Sequence, residues 1–136
     1  MSLPSDVPSA NPQSHKIPLP LAVAAVLAAV EAVLLVVQAV AEVVTLSAER
    51  VAMGVTTTVF FLLYGAGLAL CAWSLTRLRS WARAPIVVAQ LIQLLVAWSF
   101  LGGTTTVVAV ALGLMALVVL VGIFHPASIA ALADQD

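Results

Sequence analysis

Residues 19–46, with the sequence LPLAVAAVLAAVEAVLLVVQAVAEVVTL, decide the fold of this chain because they are almost wholly aliphatic over more than one membrane thickness. A helix that crosses the hydrocarbon core of a bilayer needs about 20 such residues. The segment contains a few polar side chains but no lysine or arginine. We therefore predict that it forms a transmembrane helix.

Three further apolar segments follow the first one, over residues 51–75, 85–101 and 104–124. The connections between the four segments are short, which favours antiparallel neighbours. We predict an all-α fold, an up-down-up-down bundle of four transmembrane helices within residues 17–125. The polar, proline-rich residues 1–16 are interpreted as a disordered cytoplasmic tail, and residues 126–136 as a short cytoplasmic tail.

The composition of the whole chain agrees with a lipid environment. Hydrophobic residues make up 63% of it and charged residues only 8%, whereas a soluble domain contains about 25% charged residues. The formal net charge of −1 gives no basic surface for nucleic acid. One cysteine and two histidines at opposite ends of the chain form no ligand cluster, so we expect no metal and no other cofactor.

Three arginines, Arg77, Arg79 and Arg83, lie together between the second and third predicted helices. Because cytoplasmic loops of membrane proteins are enriched in lysine and arginine, this loop is predicted to face the cytoplasm. Both termini then face the cytoplasm too, and Arg50 is left on the outer side. The three arginines have two interpretations: they determine this topology, or they bind anionic lipid headgroups.

Polar side chains on the first predicted helix form the most informative pattern. At about 100° per residue, Gln38 and Glu42 project within about 20° of the direction of Glu31, and we call these three side chains the polar stripe. Glu31 lies about 16 Å along the helix, near the middle of a hydrocarbon core about 30 Å thick. A charged and unpaired carboxylate costs several kcal/mol at that depth, so this group must be protonated, reached by water or paired.

Groups that can hydrogen-bond such a carboxyl group are present on the other predicted helices. The third helix contains Gln90 and Gln93, and the second contains Tyr64. The polar stripe then has two interpretations. It is a proton or cation site with an outward path, or it is a set of contacts that fix helix packing within the bundle or against a partner protein.

The stretch WARAP, Trp81–Pro85, leads into QLIQLLVAW, Gln90–Trp98, within residues 65–103. This region resembles small four-helix integral membrane proteins of high-GC Gram-positive (actinobacterial) bacteria, and the preference for arginine over lysine agrees with that origin. These proteins have no assigned activity. The resemblance therefore implies the bacterial plasma (inner) membrane as the location and little else.

Two main functions follow from these patterns, and a third is a lipid-interacting protein that uses Arg77, Arg79 and Arg83. The first is a non-catalytic accessory or interaction subunit of a membrane complex, whose polar stripe contacts the two glutamines of the third helix or a helix of a partner. The second is a small proton-coupled transporter that works as a homodimer through Glu31. An enzyme is not expected, because the sequence contains no nucleophilic triad and no phosphate-binding glycine loop. The expected partners are the lipid bilayer and either another membrane protein or a second copy of this chain.

Overall fold

The computed structural model describes residues 16–134, which form five α-helices and no β-strand. Four helical segments are long and apolar enough to cross a membrane, which fits a multi-pass membrane protein and confirms the predicted all-α class. Two short 3₁₀-helices, Ala48–Arg50 and Ser80–Ala82, precede the second and third long helices. The α-helices are α1 (Leu19–Val44), α2 (Val51–Thr76), α3 (Arg83–Ser99), α4 (Thr106–Phe124) and α5 (Pro126–Ala133).

The ends of the long helices differ from the predicted ends by up to two residues. Helix α3 begins at Arg83 instead of residue 85, because Pro85 is tolerated in a first turn, where a backbone N–H has no acceptor within the helix. Helix α4 begins at Thr106 instead of residue 104. The Thr106 hydroxyl accepts from the backbone N–H of Gly102 (3.1 Å) and donates to the carbonyl oxygen of Gly103 (2.6 Å), which closes a turn before the helix.

The two predicted tails lie partly outside the described residues. Of the tail predicted over residues 1–16, the structure describes Lys16 alone. The tail predicted over residues 126–136 instead begins with α5, and its last two residues are not described. Helix α5 packs on the bundle: Leu132 is buried, and the buried Ser128 hydroxyl donates to the carbonyl oxygen of Gly122 (2.6 Å).

Close contacts between helices occur at small residues, as is typical of helices packed in membranes. A Cβ atom at Gly65 of α2 would lie 3.2 Å from the carbonyl oxygen of Ala32 in α1. A Cβ atom at Gly122 of α4 would lie 2.5 Å from the carbonyl oxygen of Pro20 at the start of α1. The end of α4 and the start of α1 therefore lie together.

The core of the bundle is apolar and lies mainly at one end. Its fully buried aliphatic side chains include Leu21, Leu75, Ile86, Val119 and Ile123, drawn from all four long helices. Many other large aliphatic side chains on the same helices are exposed. A soluble monomer rarely exposes so much contiguous apolar surface, and hydrocarbon is the solvent that suits it.

Candidate functional site: a buried carboxyl group between two glutamines

Glu31 lies inside the bundle and is 4% exposed. The amide of Gln90 donates from Nε2 to Glu31 Oε2 at 2.6 Å, and the amide of Gln93 donates from Nε2 to Glu31 Oε1 at 3.1 Å. The two glutamines are three residues apart on α3, so both side chains project from the same face of that helix. The structure thus brings together the carboxyl group and the two amides that the sequence pattern pairs. We call these three residues the polar clasp.

The polar clasp connects three helices. Gln93 Nε2 also donates to the backbone carbonyl oxygen of Leu112 in α4, at 3.1 Å. A side-chain amide has two N–H groups, so Gln93 can serve both acceptors at once. Through this residue the clasp joins α1 to the pair formed by α3 and α4.

One acceptor in the polar clasp has no donor. Gln90 is fully buried, and its Oε1 makes no hydrogen bond within the described residues. The distance of 2.6 Å between Gln90 and Glu31 is short for an N–H···O bond and ordinary for an O–H···O bond. Rotating the amide by half a turn would place Oε1 at that distance, where it could accept from a protonated Glu31, since the two ends of an amide are nearly isosteric.

Tyr64, the third group predicted to face the polar stripe, has a different partner. Its hydroxyl donates to the carbonyl oxygen of Ala89 in α3 at 3.5 Å rather than to Glu31. Its ring stacks on Phe60, with ring centroids 5.7 Å apart and planes 7° from parallel. Tyr64 therefore links α2 to α3 beside the polar clasp and is not a member of it.

The polar stripe divides into two parts. Gln38 is exposed and Glu42 is half-buried, and they contact each other through Gln38 Nε2 and Glu42 Oε1 at 3.4 Å. The relative lengths of the helices explain the division. Helices α1 and α2 have 26 residues each, whereas α3 and α4 have 17 and 19. Of the three polar-stripe residues, only Glu31 lies at a position along the bundle axis where side chains of α3 and α4 can bury it.

The longer helices extend well beyond the polar clasp. At about 1.5 Å per residue, the last residue of α3 and the first residue of α4 lie about 9 Å beyond the level of Glu31, Gln93 and Leu112, on the side where α1 ends. Helix α1 continues for about 20 Å on that side. The end of α1 and the start of α2, residues 38–57, therefore project beyond the shorter helices, and we call this part the overhang.

The overhang combines charged, polar and apolar side chains. A small cleft of about 110 Å³ between its two helices is lined by Glu42 and Arg50 together with Thr45 and Thr57. Two large side chains beside it, Val44 and Met53, are more than half exposed. Sequence reasoning did not identify this surface, because it depends on how the two helix pairs align along the bundle.

The three arginines predicted as a topology or lipid site lie at the opposite end, between α2 and α3. Arg77 packs its guanidinium group over the ring of Trp73, 5.5 Å from the ring centroid. Arg79 is exposed and Arg83 is half-buried. They lie far along α2 and α3 from the overhang, so the two features occupy opposite ends of the bundle.

The chemistry available at the polar clasp is that of one carboxyl group and two amides. Among residues 16–134, no group of three or more histidine, cysteine, aspartate or glutamate residues comes together as a metal site.

Comparison of the chain with protein-family models, curated proteins and solved structures finds no match. Function is therefore inferred from the polar clasp and the overhang.

Proposed function

We propose that this chain is a non-catalytic accessory or interaction subunit of a complex in the bacterial plasma membrane. Its four long helices would run up-down-up-down with both termini in the cytoplasm. The arginines between α2 and α3 support this orientation, because positively charged loops remain on the cytoplasmic side. The overhang then lies on the outer side of the membrane.

The overhang is the observation that supports an interaction role. At about 1.5 Å per residue, α3 (17 residues) and α4 (19 residues) span about 26 and 29 Å, slightly less than a hydrocarbon core of about 30 Å. The extra length of α1 and α2 therefore reaches the headgroup region or the water beyond it. Exposed aliphatic side chains at the outer end of the overhang, such as Val44 and Met53, then lie beyond the hydrocarbon. Together with Gln38, Glu42 and Arg50 they form a mixed apolar and polar surface of the kind that protein interfaces use.

The polar clasp supports the same proposal. Glu31 has its hydrogen-bond partners on α3 of its own chain, so its carboxyl oxygens do not need donors from a partner protein. Interhelical hydrogen bonds of this kind stabilise helix packing in membranes by about 0.6–2 kcal/mol each. The clasp then positions α1, and the overhang that continues it, relative to the shorter helices.

Replacing both Gln38 and Glu42 with alanine is expected to weaken binding of a partner protein at least tenfold. A hot-spot residue near the centre of an interface costs about 2 kcal/mol or more when it is truncated, and about 1.4 kcal/mol already corresponds to a factor of ten. The measurement is affinity purification of the tagged chain from its membrane in a mild detergent, followed by native mass spectrometry of the retained proteins.

The matched control is Ser99→Ala, because Ser99 is an exposed polar residue at the same end of the bundle but on α3. The unaltered chain and this control should both retain a second protein at a fixed stoichiometry. A chain that purifies alone, or as a homodimer alone, would contradict the accessory role.

A proton-coupled transporter that works as a homodimer is the second candidate. The short contact between Gln90 and the buried carboxyl group favours it, because Oε1 of a rotated Gln90 amide would accept the proton of a protonated Glu31. Four short helices enclose little volume, so a second copy would have to complete any path for substrate. The substitution that separates the two functions is Glu31→Gln, which removes the titratable group and keeps a hydrogen-bonding side chain.

A further inference from the structure

The loop that contains the three arginines has a fixed backbone. Leu78 has a φ of 55°, in the left-handed region that side chains other than glycine rarely adopt, and its side chain is buried. The backbone N–H groups of Leu78 and Arg79 donate to the carbonyl oxygens of Leu75 and Ser74, each at 3.0 Å. These two bonds close the end of α2, as a glycine in the same position commonly does. Burial of the leucine holds this turn in place.

The positive charges of this loop are not neutralised within the described part of the chain. None of Arg77, Arg79 and Arg83 forms a salt bridge with a residue between 16 and 134. Arg77 contacts the face of Trp73, an arrangement that leaves its N–H groups able to bind an anion. Seven residues, 77–83, thus present three guanidinium groups on a short and ordered connection.

Two neighbouring features suit a membrane surface. Trp73 and Trp81 are both exposed, and tryptophan rings concentrate at the boundary between headgroups and hydrocarbon. Helix α3 begins at Arg83 without a capping side chain and without an acidic residue in its first turn. The positive end of the helix dipole adds to the attraction for an anion at this point.

From these features we propose that residues 77–83 bind the phosphodiester headgroup of an anionic phospholipid. Arg79 and Arg83 would contact the phosphate oxygens, and Trp81 would lie against the glycerol and upper acyl region. Guanidinium groups suit this ligand because they donate paired hydrogen bonds to phosphate. The proposal requires only that the chain lies in a membrane, and it is independent of any partner protein at the overhang.

The test is native mass spectrometry of the full chain in a neutral detergent, titrated with phosphatidylglycerol and separately with phosphatidylethanolamine. One phosphatidylglycerol molecule per chain should stay bound, with little retention of phosphatidylethanolamine. Each of Arg79→Ala and Arg83→Ala should weaken phosphatidylglycerol binding about fivefold, since one cation near the surface contributes about that factor. Arg50→Ala is the matched control, because it removes an exposed arginine at the opposite end of the bundle, and it should leave binding unchanged.

Three further measurements make the result decisive. Leu78→Gly keeps every charge and permits the same φ but removes the buried side chain. If lipid binding depends on the ordered loop, this variant should bind phosphatidylglycerol more weakly; if it depends on positive charge alone, binding should not change. Soluble glycerol phosphate at millimolar concentration should fail to displace the lipid, because it lacks the acyl chains. Equal retention of the two lipids, an equal loss in the Arg50 control, or displacement by glycerol phosphate would overturn the proposal. Circular dichroism of each variant verifies that the helices are intact.

Discussion

Replacing Glu31 with alanine should destabilise the folded bundle by about 2–4 kcal/mol. The substitution removes the acceptor for two amides, and a buried donor left without a partner costs about 1–3 kcal/mol. Gln90 would lose the hydrogen bond it donates to Glu31, whereas Gln93 would keep its bond to the carbonyl oxygen of Leu112. The measurement is unfolding by sodium dodecyl sulfate in mixed micelles, followed by the loss of helical circular dichroism.

Two comparison variants show whether the hydrogen bonds are responsible. Glu31→Gln keeps a carbonyl oxygen that can accept from one glutamine, so it should cost only about 1 kcal/mol. Glu42→Ala removes a carboxyl group of the polar stripe outside the clasp and should change the free energy of unfolding by less than about 0.5 kcal/mol. An equal loss for the two Glu31 variants would contradict the role of the carboxyl group as an acceptor.

The glutamine variant also decides between the two proposed functions. If the chain is an accessory subunit, Glu31→Gln should still bind the partner, because the overhang is unchanged. In vesicles with an imposed pH gradient, proton flux should then be the same with and without the substitution. A flux that requires the unaltered chain and disappears in Glu31→Gln would favour the transporter.

The fold could be predicted from the sequence to a large extent because hydrocarbon imposes a simple requirement on the chain. Segments of about 20 apolar residues must be helical in lipid, where every backbone group needs an internal partner. The pairing of Glu31 with Gln90 and Gln93 could also be predicted, because few polar side chains lie near the middle of the membrane-spanning helices. These are the polar groups nearest the middle of their helices, and the spacing of the two glutamines places them on one face.

The division of the polar stripe could not be predicted in the same way. The angular spacing of Gln38 and Glu42 matches that of Glu31, so the sequence assigns all three side chains to one environment. Their environments differ because α3 and α4 end before they reach the level of Gln38. That difference depends on how one helix pair aligns along the other, which the pattern within a single helix does not contain.

Two local features were missed for related reasons. Leu78 adopts a backbone conformation for which glycine or asparagine is the usual sequence signal, and only its burial in the assembled bundle explains the leucine. Helix α5, which begins at Pro126, lies within the residues for which the sequence predicts a short tail. Its stability comes from contacts that the sequence does not specify, namely the burial of Leu132 and the bond from Ser128 to α4.

The second large effect is expected at Gly122, where alanine should destabilise the bundle by about 2–3 kcal/mol. The added Cβ would lie 2.5 Å from the carbonyl oxygen of Pro20 and 3.0 Å from the Cβ of Ala24. A backbone atom cannot move aside as the end of a side chain can, so α1 and α4 would have to separate. Overpacking of this kind costs about 1–3 kcal/mol, and the carbonyl oxygen of Gly122 would also shift from the Ser128 hydroxyl.

Gly67→Ala is the matched control for this prediction, since Gly67 also lies within a long helix but a Cβ there would meet no atom within 4 Å. Alanine is favoured over glycine inside a helix by up to about 1 kcal/mol, so the control should be neutral or slightly stabilising. The measurement is the free energy of unfolding by sodium dodecyl sulfate in mixed micelles, for both variants and for the unaltered chain. Similar stabilities for Gly67→Ala and Gly122→Ala would show that α1 and α4 do not approach at Pro20. A loss confined to Gly122→Ala would confirm that the backbones of α1 and α4 approach closely where α1 begins and α4 ends.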